Sequence, residues 1–170
     1  MLKYIFLLFL NLGINFAFGQ EFVYIDSEYI LKNIPEYLQA KEKLDGLATK
    51  WTKEVEDRTA AIKIKKGNFD REEVLLPKEE KEKRKQEIEK LEKETIELQT
   101  QHFGVNGDYF QKRQELIKPI QDRIYTAMKK IAKRDEYSFV FDKANQSNLV
   151  YASKESDISD DVLEEMGISK

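Results

Sequence analysis

The apolar residues of this chain recur at a period near two at its ends and near 3.5 in between, and the changes of period mark its elements. Glu21–Asp26 (EFVYID) alternates, with Phe22 and Tyr24 on one face and Val23 and Ile25 on the other. Both faces are apolar, which predicts a strand covered on both sides. Ser27 then reads as the N-cap of a short helix through Asn33, with Glu28 in its first turn, and Pro35 ends it. From Glu36 to Lys66 the apolar positions are Ala40, Leu44, Leu47, Trp51, Val55 and Ile62, at helical spacing, and Gly67-Asn68 is the expected break. Pro77 suits the opening of the next helix, and Glu79 and Glu80 oppose its N-terminal dipole.

That next segment, Lys78–Phe103, carries seven basic and eight acidic residues among its 26. Its seam runs Ile88, Leu91, Thr95, Leu98, His102, a 3-4-3-4 heptad spacing with two seats held by polar side chains. Acid-to-base pairs at i,i+4 (Glu79 with Lys83, Glu80 with Arg84, Glu89 with Lys93) support a solvated helix. So narrow a stripe can bury only one seam, against a partner helix. Glu36–Lys66 is the partner in the same chain, and the two predict an antiparallel hairpin that projects as an arm about 46 Å long. HFGVNGDYF interrupts the pattern at Gly104 and Gly107, where a break and a continuous flexible helix are both open. Helical spacing resumes at Phe110, Ile117, Ile120, Ile124, Met128 and Ile131, with Pro119 predicting a kink. Tyr137–Asp142 (YSFVFD) returns to period two, and Leu149–Ala152 (LVYA) predicts the second strand of a hairpin. Ser159 caps a last helix, with Asp160 and Asp161 in its first turn and Gly167 at its end.

The fold class is therefore α+β, mostly α: a long helical arm, 39–134, on a small β body made from 20–38 and 135–170. With 36% charged and 41% apolar residues, an elongated shape fits better than a compact core. A body this small, with strands apolar on both faces, is most economically completed by assembly between subunits. The absence of cysteine removes disulfides and thiolate metal sites. Net charge is −3, yet residues 40–134 carry 24 basic and 19 acidic side chains, a net +5. Such an arm is either simply solvated or drawn to acidic chains or a membrane surface; the short KIKK and KRK runs do not argue for nucleic acid.

Met1–Gly19 has one basic residue, Lys3, an apolar run from Tyr4 to Phe18, and small residues at Ala17 and Gly19. That is the layout of a secretory signal peptide cut between Gly19 and Gln20, too short and too interrupted by Asn11 and Asn15 for a spanning helix. No phosphate loop, GxSxG elbow or HExxH occurs, and His102, the one histidine, reads as a seam residue setting register. Helix capping accounts for Asp157, Asp160 and Asp161 more simply than a hard cation does. No cofactor, catalytic residue or metal ligand is expected.

An opening FVYIDSEYILKNIPEYLQAKEKL, a later QKRQELIKPIQDRIYTAMKKIAKRDEYSFVFDK and a closing LVYASKESDISDDVLEEMGI, in this order after a signal peptide, resemble the Skp (OmpH-like) family of periplasmic chaperones. The resemblance spans essentially the whole mature chain. It implies a homotrimer with a β-barrel-like body and three arms around a cavity, which holds unfolded outer-membrane β-barrel proteins without ATP. On that view Phe22, Tyr24, Phe139, Phe141 and Val150 belong to the intersubunit body. Leu44, Leu47, Trp51, Val55, Ile88, Leu91 and Leu98 form the arm seam, and no single residue is assigned to client binding. Trp51, Leu75 and Leu76 either face the client or pack the hairpin. A tethering coiled-coil protein of the cell envelope, bound to one folded partner, is the competing expectation.

Overall fold

The computed structural model describes residues 22–145 and 149–168; the expected leader and its cut at Gly19–Gln20 lie outside them. The elements follow in the order β1 (Phe22–Ile25), α1 (Ser27–Lys32), α2 (Pro35–Glu72), α3 (Lys78–Phe103), α4 (Asp108–Arg134), β2 (Phe139–Asp142) and α5 (Ser159–Glu165). The molecule is α+β and mostly helical, with long helices forming a hairpin-like arm above a two-stranded sheet.

The two strands lie parallel, in the register Phe22 to Phe139, Val23 to Val140, Tyr24 to Phe141 and Ile25 to Asp142. Parallel neighbours require a crossover connection, and here the crossover is the entire arm. The expected hairpin of Tyr137–Asp142 with Leu149–Ala152 does not form, because Leu149–Ala152 is not a strand. The Asp142 carboxylate accepts the Ala144 N–H (3.1 Å), and the resulting 3-10 turn at Lys143–Asn145 ends β2 rather than folding it back. The far edge of β1 is taken instead by the segment before α5: Asp157 bridges Tyr24, and the Ile158 N–H donates to the Tyr24 carbonyl at 3.0 Å.

Capping of α1 falls on Asp26, not Ser27. Asp26 has the extended backbone a cap needs, and its carboxylate accepts the Tyr29 N–H at 2.9 Å. Ser27 donates through its hydroxyl (2.7 Å) and N–H (3.1 Å) to Asp142, tying the start of α1 to the end of β2. Ser159, buried at the opening of α5, accepts the Asp26 N–H at 2.8 Å. Two aspartates and two serines thus lock the chain ends together. The core beneath is centred on the fully buried Ile30, Ile34, Ile131 and Val162. It extends up the base of the arm to Leu44 of α2 and Ile117 of α4, so the body borrows its walls from the long helices.

The helix α2 runs through Gly67-Asn68 without the expected break, for about 57 Å at 1.5 Å per residue. A mid-helix glycine costs only about 1 kcal/mol, and α3 packs alongside through the pairs Lys65–Glu87 and Lys66–Glu92 on either hand. The chain reverses later, through a 3-10 turn at Glu73–Leu75 and the extended Pro77. Pro119 does not interrupt α4. Between α3 and α4, however, the helix does break. A Cβ on Gly104 would stand 2.4 Å from the Thr100 carbonyl oxygen, and one on Gly107 would stand 2.7 Å from that of Gln101. Asn106 adds a left-handed residue, with φ 60°.

These glycines respond in opposite senses to substitution. Gly67→Ala, with nothing near the added methyl, stabilises α2 by about 0.5–1 kcal/mol, whereas Gly104→Ala forces the backbone apart and lowers the melting temperature. Thermal denaturation of the two variants measures both signs.

Candidate functional site

The molecule presents two surfaces with functional character, one on the sheet and one along the arm. On the sheet, alternation sends Val23 and Ile25 into the core and Phe22, Phe139 and Phe141 outward. The three rings stack face to face, with Phe22 at 5.4 Å from Phe139 and 6.3 Å from Phe141. They remain 53%, 49% and 41% exposed. Stacked phenylalanines left in water at this level form a patch that covering would stabilise by the hydrophobic effect. Val150, 99% exposed, stands in the segment that follows, with Tyr151 similarly bare.

Tyr24 differs from the other residues expected on this face. It is 6% exposed, covered by its own chain: Lys143 lies over its ring at 5.6 Å, and the Asp157 segment runs beside it. Burial, then the carboxylate of Asp157, holds its phenol above the usual range. The sequence period put Tyr24 with Phe22, and only the return of the C-terminal segment separates them.

Along the arm, α2 meets α4 near the body and α3 farther out. Leu44, Ile62 and Ile88 are buried, and Leu47, Trp51, Val55, Leu91 and Leu98 are partly buried. The polar seats are filled and satisfied. Thr95 donates its hydroxyl to the Leu91 carbonyl (2.7 Å), and His102 Nδ1 bonds the Asp108 carboxylate (2.8 Å), which removes the cost of burying either group. His102 also lies flat on Trp51, with ring centres 4.6 Å apart and planes 7° from parallel. Trp51 therefore packs within the arm. Leu75 does not: with Val74 it forms a nearly bare apolar tip, while Leu76 is half-buried.

The remaining arm surface is mostly ionic, with Ile64, Ile96 and Val105 exposed among the charges. Lys65, Lys66, Lys81 and Arg84 of the two limbs reach across to Glu87, Glu92, Glu73 and Glu72, all largely in solvent. Lys65 holds the Glu87 carboxyl below its usual range. Of the i,i+4 pairs expected in α3, Glu80–Arg84 forms, while Lys93 turns to Glu97. Exposed pairs of this kind set register and solubility more than stability. Among the described residues, no group of three or more His, Cys, Asp or Glu is placed to hold a metal ion, and no helix is long and apolar enough to cross a membrane.

A small α+β body that carries a long helical hairpin and leaves an aromatic face bare defines an arm-bearing protein. A family model described as outer membrane protein (OmpH-like) matches residues 21–166, and the chain belongs to that family. Membership gives it, in general terms, a chaperone-type role towards outer membrane proteins and a periplasmic setting. No individually curated protein matches the chain.

A seam this thin makes each of its apolar residues count. Ile88→Ala costs about 2 kcal/mol or more and raises hydrogen exchange in the turns of α3 around it, while protection of α1, β1 and β2 stays unchanged.

Proposed function

We propose that the mature chain, exported and cut after Gly19, is an ATP-independent holdase of the periplasm that keeps unfolded outer-membrane β-barrel proteins from aggregating. The observation that carries this reading is the bare aromatic face. A two-stranded sheet presenting Phe22, Phe139 and Phe141 to solvent is an incomplete body. Further copies of the chain cover the face, and the exposed Leu149–Tyr151 segment is available to extend a neighbour's sheet edge. Three copies, the number implied by the resemblance, would set three arms around one cavity.

Holding follows from the character of the arm walls. They offer many short-lived ionic and van der Waals contacts, so a client is kept apart from other chains without being fixed in one conformation. The net +5 of residues 40–134 favours segments of acidic character and the headgroup region of a membrane. No step needs nucleotide, because release competes only with weak contacts. A second reading, a tether to one folded partner, draws support from the apolar tip at Val74 and Leu75, which is small and compact.

Two measurements test the reading. The mature protein is expected to delay aggregation of several unrelated barrels diluted from urea; no delay at an excess of protein defeats the holdase, and a delay for a single barrel favours the tether. By light scattering it is expected to have a trimer's mass, and the combined Phe139→Ser and Phe141→Ser substitutions to lower that mass to a monomer's without loss of helix.

A further inference from the structure

The arm has two soft places that lie close together along it. The return limb is interrupted at Gly104–Gly107 by two glycines that admit no side chain. The outgoing limb has Gly46 about 7.5 Å bodyward of the Trp51 that faces this break, with nothing near the place where its Cβ would stand. Beside Gly46, a hollow of about 460 Å³ separates α2 from α4, lined by Lys43, Leu47, Lys112, Glu115 and Leu116. Elsewhere each limb is a continuous helix.

One cluster bridges the level of the break. His102, in the last turn of α3, bonds Asp108 in the first turn of α4 and stacks on Trp51 of α2. Phe103 meets Trp51 edge-on at 6.2 Å and Tyr109 at 6.3 Å. Three helices are therefore joined through a single buried imidazole. Its contacts do not belong to an ordinary seam, because the hydrogen bond runs along the arm across the break, while the ring stack runs across the arm.

We propose that this level is a joint and that Trp51, His102 and Asp108 are its latch. Closed, the latch keeps α3 and α4 in line on α2. Open, it frees the outer arm, from Trp51 to the tip, to swing about Gly46 and Gly104–Gly107. His102 acts as a positioning residue and touches nothing beyond the arm. The joint is independent of the holdase reading, since it is a property of the arm whatever the arm contacts.

The chain has no cysteine, so spin labels placed by Val74→Cys at the tip and Glu165→Cys at the body report their separation without interference. Doubly labelled chains diluted into unlabelled protein give the distance within one subunit. His102→Ala is expected to broaden that distance distribution, and to speed exchange of the amides at 102–110 by about tenfold, the loss of one ring stack and one hydrogen bond. Asp108→Asn, which removes only the charged acceptor, should broaden it less. Ile88→Ala loosens the arm away from the joint and serves as the reference. The proposal is overturned if His102→Ala leaves the distribution as narrow as in the parent, or if Ile88→Ala broadens it equally. Circular dichroism identifies any variant that has lost the fold, and in that case Asp108→Asn alone decides by the same comparison.

Discussion

The parallel pairing of β1 with β2 is the constraint from which the architecture follows. Two strands at opposite ends of the chain lie side by side and point the same way. Everything between them must leave the sheet and return to the end where it started. A chain rich in charge cannot make that excursion as a compact layer, so it goes out as one helix and comes back as two. The closure is polar as well as apolar: Asp26, Ser27, Asp142 and Ser159 bind the strand ends and helix starts to one another before the core beneath them is counted.

Body and arm are built to different standards. At the base, isoleucines from α1 and α4, Ile34 at the start of α2, Ala40 and Leu44 of α2, and the side chains of α5 fill a contiguous core. Beyond Leu44 the buried surface narrows to one seam, where two of the seats are a threonine and a histidine. Neither is left wanting a hydrogen bond, so the arm is thin without being frustrated. An arm that has little buried surface but no unsatisfied group can deform at small cost and close again, which is the physical property that the proposed holding of variable chains requires.

The surface divides in a similar way. Charge is spread over the arm as opposite signs within reach of each other, with single apolar side chains such as Ile64 and Ile96 exposed among them, while the stacked aromatic exposure lies on the sheet. In the proposed assembly, covering of the aromatic face and contact along the arm would thus be separate events.

Much of this was legible in the residues. Periods of two and 3.5, proline and glycine punctuation and a heptad with polar seats determined a mostly helical α+β chain with a hairpin arm, because those signals are local and each helix carries its own hydrogen bonds. Gly67-Asn68 misled, since a glycine's small cost was outweighed by the helix lying alongside. The choice of Asp26 over Ser27 as cap was within one residue of what the pattern allowed. Strand pairing was a different matter. A strand's partner is set by whatever comes to lie beside it, and neither the parallel register of β1 and β2 nor the covering of Tyr24 by Lys143 and Asp157 leaves a mark on spacing. The same holds for His102. Its seat in the seam could be read from the heptad, but its stack on Trp51 and its bond to Asp108 exist only because three helices meet at one level of the arm, and contacts between distant segments are decided by tertiary packing alone.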